Sequence, residues 1–162
     1  GRAAIDLEGA FQPRVAVLSF SNFGSTIHPS AQKMAKAAEL VKKRAPELMV
    51  DGEMMADTAV SPDIIESLYP FSTLKGGANV LVMPNLESAN IAYKLLAKLG
   101  GAELYGPMLL GIRKPVYLLI PGNEVADIVN VTAMAVRDAQ EPGDGREERF
   151  TPVKPQLETV YE

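Results

Sequence analysis

Asp51, Glu53 and Asp57 stand close together in the stretch VDGEMMAD. Carboxylates at short spacing suit a hard cation such as Mg²⁺. The spacing matches no calcium loop, and the same letters read equally as a strand end, a glycine turn and a cap for the next helix. No metal site is expected. In NFGS, Gly24 and Ser25 follow an apolar run and face the start of a helix. Backbone N–H groups in such a loop can hold an anion, and a plain turn with glycine at positive φ explains the same letters. A third group is basic. Asn90, Lys94 and Lys98 recur at helical spacing, and Arg113 and Lys114 stand just before the last apolar run. They suit a small polyanion such as a phosphate ester, or a solvated helix face. His28 is the single histidine. Its neighbour Pro29 suits a first helical turn, so His28 reads as a cap or packing residue rather than a catalytic base.

The stretch KPVYLLIPGNEVADIVNV, residues 114–131, begins as a strand and ends as a helix. In an open α/β sheet, ligands bind at the carboxyl end of a strand. A working site would place a nucleophile, a base or a charged clamp there. This chain places Ile120 and Pro121. The usual phosphate cradles, GxxxxGK[ST] and GxGxxG after a strand, are absent, as is the GxSxG elbow.

These groups must be positioned by alternating strands and helices. RVAVLSFS (14–21), LMVDGEM (48–54), ANVLVMP (78–84) and PVYLLI (115–120) read as strands from their continuous apolar, partly β-branched character. LYGPMLLGI (104–112) reads as an edge strand or irregular wall. Helices are expected over 30–45, 61–69, 86–101 and 123–140. Met34, Ala37, Ala38 and Val41 share one face of the first, and Ser61-Pro62-Asp63 is a good helix start. In the last, Val125, Ile128, Val129, Thr132 and Val136 are expected to face inward. The alternation implies a three-layer αβα fold with a mostly parallel central sheet. Residues 14–139 form the domain, 1–13 a lead-in from a missing subdomain, and 140–162 a flexible tail rich in Pro and charge.

With 162 residues, 47% hydrophobic and 22% charged, the chain is large enough for one packed core. The net charge of −4 with no basic run argues against nucleic acid. The absence of cysteine suits a reducing cytoplasm and removes thiolate metal sites. No apolar run is long enough to span a membrane, and no signal peptide is visible. The chain does not begin with Met and is read as a possible fragment.

PRVAVLSFSNFGSTIHP, VDGEMMADTA, ANVLVMPNLESANIAYKLLAKLGGAELYGPMLLGIRKPV and VADIVNVTAMAV, taken in order, resemble the carboxyl-terminal half of the phosphate acetyltransferase (phosphotransacetylase) family. The resemblance implies an isocitrate/isopropylmalate dehydrogenase-like fold of two α/β domains with a cleft between them, of which this chain is mainly the second, dimerising domain. The family moves an acetyl group between phosphate and coenzyme A. Its cleft motif reads Leu-Ser-Arg-Gly with an aspartate beyond. The Ser and Arg are credited with catalysis and phosphate binding. Laid on this sequence, the motif falls on Leu119, Ile120, Pro121 and Gly122, the aspartate on Asp127, and a further loop serine on Glu124. The resemblance therefore implies no catalytic residue here.

FSNFGS, PFSTL and PNLESANIAY are more similar to the phosphotransacetylase-like domain of the large bacterial NADP-dependent malic enzymes. That similarity implies a cytoplasmic regulatory domain that binds acetyl-CoA or a related CoA ester and restrains a separate malate-decarboxylating module. It implies no cofactor in this chain, with NADP and a divalent metal in that module. It also implies a homodimer through this domain within a larger homo-oligomer. Gly24, Ser25, Asn90, Lys94, Arg113 and Lys114 are then the expected ester contacts, with Lys94 foremost for the phosphates. A working transacetylase using other residues, and a structural dimerisation module with a vestigial cleft, are the alternatives.

Overall fold

A computed structural model describes residues 12–109, 112 and 114–140. The expected lead-in and tail therefore lie almost wholly outside the described residues. The chain forms two compact units that divide between Glu103 and Leu104.

The first unit is built on a parallel sheet in the order β2-β1-β3, with β1 (Arg14–Leu18) in the centre, β2 (Met49–Met54) on one side and β3 (Val80–Val82) on the other. Successive side chains of a strand point to opposite faces, and β1 makes a core of each. Val15 and Val17 pack with Val50, Leu48, Met34 and Ala38, the last two from helix α1 (Pro29–Arg44). Ala16 and Leu18 pack with Met54, Ala59, Ile65 and Leu74. Ala59 and Ile65 come from the short helices α2 (Ala56–Val60) and α3 (Pro62–Leu68). Helix, sheet and helix are the three layers that the alternation of strands and helices predicts. Pro29 and Pro62 open α1 and α3, as Pro does best at a first helical position.

The β1–β2 ladder carries an irregularity that shapes the site. Val17 faces Gly52 but Leu18 faces Met54. Glu53 is thus the extra residue, released from the ladder and re-aimed, as bulged residues are.

Burial departs from expectation further along the chain. Residues 78–84 were expected as a buried strand, yet Leu81 and Val82 are 36% and 40% exposed; among the described residues neither joins a core cluster on either face of the sheet. The following helix α4 (Leu86–Leu99) buries no residue.

The second unit holds β4 (Met108–Leu109), β5 (Val116–Tyr117) and α5 (Val125–Gln140). β5 pairs antiparallel with β4 and is shorter than the strand expected over 115–120. The Tyr117 hydroxyl donates to the Asp138 carboxylate, fastening β5 to α5. Burial and that bond push the phenol up to about 12. The stripe expected to face inward on α5 does not. Val125, Ile128, Val129 and Val136 are each more than 40% exposed, and Val131 is the buried residue. Periodicity marks an apolar face; it does not say that the same chain covers it.

Candidate functional site

The loop that leaves β1 at its carboxyl end is organised by Glu53. This carboxylate is buried, and its Oε1 accepts from the Gly24 N–H at 2.7 Å and from the Ser21 hydroxyl at 2.9 Å. The Phe23 N–H donates to the Glu53 carbonyl at 2.8 Å. Ser21 gives its one proton to Glu53, so the 3.3 Å contact with Ser25 has the Ser25 hydroxyl as donor. Ser21 Oγ also accepts from the Thr26 N–H at 3.1 Å. Ser25 Oγ accepts in turn from the Asn22 N–H at 3.0 Å. Phe23 and Gly24 both take positive φ, 47° and 83°, and the Gly24 N–H meets the Glu53 carboxylate while the Phe23 N–H meets its backbone carbonyl. The anion that this loop holds is the protein's own. Glu53→Ala strands a buried hydroxyl and an amide, and is expected to cost about 2–3 kcal/mol, read as a lowered midpoint in urea unfolding.

Asp51 points elsewhere. Its carboxylate is bound by Lys42, Ser72, Thr73 and Gly52. Asp57 accepts from the Thr58 N–H. Among the described residues, no three metal-ligating side chains converge. His28 caps α1, its Nδ1 accepting from the Ser30 N–H at 3.2 Å, with Phe20 edge-on at 5.3 Å.

On α4, Asn85 is the N-cap and accepts from the Ser88 N–H at 2.8 Å. Asn90, Lys94 and Lys98 lie on one face of the helix and are exposed. The Lys94 ammonium sits 5.6 Å from the centroid of the Tyr93 ring, close enough for a weak cation–π contact.

In the second unit the chain turns tightly at Ile120–Asn123. Pro121 and Gly122 stand where a type II turn wants Pro and then Gly, and Gly122 has φ 96°. The Asn123 N–H donates to the Ile120 carbonyl at 3.1 Å, and the Ile120 N–H returns to Asn123 Oδ1 at 2.6 Å. Asp127 Oδ2 accepts from the Glu124 N–H at 2.9 Å and from the Asn123 amide at 3.3 Å. Those two bonds, the backbone one first, hold its carboxyl below the usual range. Ile120 and Lys114 are exposed. Arg113 lies outside the described residues. The turn offers a ligand neither a hydroxyl nor a cation at positions 120 and 121, and the Asn123 and Glu124 amides are already partnered.

The expected groups are thus Gly24 with Ser25 in one network, Asn90 with Lys94 on one helix face, and Lys114 in the other unit. None lines the shallow cavity of about 180 Å³ bounded by Ile65, Glu66, Tyr69, Pro70, Ser72, Leu74, Lys75 and Gly76. Sequence reasoning missed Ser21 and the anchoring role of Glu53. A buried hydroxyl paired with a carboxylate distant in sequence leaves no local signal.

A family model described as phosphate acetyl/butaryl transferase matches residues 4–136. The chain is 53% identical over 131 residues to an NADP-dependent malic enzyme of Escherichia coli (strain K12), covering 80% of this chain and 17% of that protein. It is 43% identical over 129 residues to a phosphate acetyltransferase of Acetivibrio thermocellus, covering 80% of this chain and 39% of that protein. A phosphotransacetylase structure from Streptococcus pyogenes superposes with a TM-score of 0.79 at 35% identity, over 86% of this chain and 43% of that one. The chain therefore spans less than half the length of each of these relatives.

Proposed function

This chain belongs to the phosphate acetyl/butaryl transferase family, and on that premise we propose that it is the non-catalytic regulatory and oligomerisation domain of an NADP-dependent malic enzyme, sensing acetyl-CoA in the cytoplasm. The observation that carries this reading is the self-closed turn at Ile120–Asn123. The family's Ser and Arg positions hold an isoleucine and a proline. Neither can donate a hydrogen bond to an oxyanion from its side chain or clamp a phosphate. Lacking such a clamp costs several kcal/mol of transition-state binding. Glu124 adds a negative charge beside the helix start, where it repels a phosphate. A relative at 53% identity is an NADP-dependent malic enzyme; the parent reaction is accordingly proposed to be malate to pyruvate, with NADP and a divalent metal proposed for a separate module.

A family cleft without its reactive pair can hold a CoA ester and leave it intact. Regulation then requires the ester to favour one global state, and a coupling of about 1–3 kcal/mol suffices. Lys94 is proposed to meet the ester phosphates, with Asn90 beside it on the same face of α4. In the polypeptide as its gene encodes it, acetyl-CoA is expected to inhibit malate-dependent NADP reduction. Lys94→Glu is expected to abolish that inhibition, each variant being compared with its own rate without ester. Unchanged inhibition removes Lys94 from the site, and no response in the wild type ends the sensor reading.

Identity to a phosphate acetyltransferase at 43% favours the second reading, a working transferase. Incubating acetyl phosphate and coenzyme A with the same protein separates the two. No acetyl-CoA is expected, and steady formation above a blank would establish the transferase instead.

A further inference from the structure

β3 ends at Val82 and α4 begins at Leu86. Between them Met83, Pro84 and Asn85 carry the chain from sheet to helix. Asn85 is the cap, extended at φ −160°, and its carbonyl accepts the first helical bond, from the Ala89 N–H at 3.2 Å. The Ser88 N–H is taken by the Asn85 side chain. The Pro84 carbonyl therefore stands outside the helical ladder and needs a donor from elsewhere. Lys33 supplies it. Its ammonium donates to the Pro84 carbonyl at 2.7 Å, across 51 positions of sequence.

Lys33 is carried on α1, which Ala31, Met34 and Ala38 seat on the sheet. The other lysines of α1 serve different partners, Lys36 and Lys43 on Glu39 and Lys42 on Asp51. A cation beside a helix start is disfavoured by the helix dipole, so the attraction that holds Lys33 there is the carbonyl bond itself, and charge-assisted bonds are short and strong. Among the described residues α4 buries no side chain, so little packing competes with this tie in directing the helix. At 1.5 Å per residue Lys94 lies about 14 Å along the axis from Asn85, and a tilt of about 10° at the root displaces it by about 2 Å.

We propose that Lys33 is a positioning residue for the ester contact. By holding the Pro84 carbonyl it fixes the direction in which α4 leaves the sheet, and so where Asn90 and Lys94 stand. The proposal rests on the acetyl-CoA reading and adds to it a residue that acts through the helix, without touching the ester.

The test uses the polypeptide as its gene encodes it. Lys33→Met keeps the stem and removes the ammonium, and Lys33→Arg keeps a donor. Acetyl-CoA is titrated against malate-dependent NADP reduction, each variant being compared with its own rate without ester. Amide hydrogen exchange over α1, the sheet and α4 is followed without ester. For Lys33→Met the half-inhibiting concentration is expected to rise about three- to tenfold, as the loss of one charge-assisted bond at the surface entails. Exchange is expected to quicken across α4 alone. Lys33→Arg is expected to stay within about twofold of the wild type in both readouts. A Lys33→Met protein that titrates like the wild type overturns the proposal. So does a raised half-inhibiting concentration with unchanged exchange in α4, which makes Lys33 a direct contact of the ester. Faster exchange through α1 and the sheet also overturns it, since Lys33 then supports the whole unit. So does an arginine variant as weak as the methionine one. A wild type that ignores acetyl-CoA ends the sensor reading and this proposal with it, whereas every other failure leaves the sensor reading standing.

Discussion

Gly52→Ala is expected to leave little or no folded protein. A Cβ at this position would lie 2.5 Å from the Val17 carbonyl oxygen and 3.1 Å from the Val17 Cβ. Both belong to the central strand, which packs on two faces and cannot retreat without opening both cores. The backbone also sits at φ 137°, where an L side chain is strained by about 1–3 kcal/mol before any clash is counted. Strain and displacement together should exceed about 4 kcal/mol, a large part of the 5–15 kcal/mol that holds a typical domain. Gly24→Ala is the internal control. Its φ is 83°, but a Cβ there meets nothing within 4 Å, so it is expected to cost about 1 kcal/mol. Urea unfolding reads both. A Gly52→Ala protein as stable as the Gly24→Ala protein would mean that β2 does not pass Val17 in this register.

The elements that build the three layers were legible because each carries a local signal. β1 is an unbroken apolar run, α1 and α3 open on Pro, and α4 follows an Asn cap. His28 was legible as a cap from Pro29 alone, and the bend at 121–122 from Pro-Gly. α2 was not foreseen, because five residues are too few to show a period. Burial was legible only where one element covers another nearby. Val15 and Val17 sit under α1, which follows them in the chain, whereas the stripes of α4 and α5 announce a face without naming what meets it. The site divides the same way. Ile120 and Pro121 could be weighed from residue type, since neither side chain can donate a hydrogen bond or carry charge. Glu53 could not. Its partners Ser21 and Gly24 stand 32 and 29 residues away, and only the bulge in β2 turns the carboxylate toward them. In the sequence, Asp51 and Glu53 look like one acidic cluster. In the fold they serve separate networks.

Asp51→Ala is expected to destabilise the protein by about 3 kcal/mol. The carboxylate is 4% exposed. Its Oδ1 accepts from Lys42 at 2.6 Å and from the Gly52 N–H at 3.0 Å. Its Oδ2 accepts from the Ser72 hydroxyl at 2.8 Å and from the Thr73 N–H at 2.7 Å. Asp51 thereby ties the segment after α3 to the sheet, and next to that tie Leu74 enters the core at 1% exposure. Removing the carboxylate leaves a buried hydroxyl and amide without their acceptor. The same network sets a pH dependence. Burial pushes the Asp51 carboxyl up, but the bonds from Lys42, Thr73, Ser72 and Gly52 outweigh it and hold the group below its ordinary 3.8. A carboxylate with a depressed folded pKa binds fewer protons folded than unfolded. Its contribution is fully present above the unfolded value and is lost as pH falls through the folded one. Asp51→Asn, which resembles the protonated acid, is therefore expected to be less stable than the wild type by a constant amount from about pH 7 to about pH 5. The two unfolding curves should converge below about pH 4. Lys42→Met should narrow the wild-type advantage and move its loss to higher pH, because it removes the strongest of the bonds that lower the group. A gap that stayed constant down to pH 3 would mean that the stability of this clasp owes nothing to the charge on Asp51.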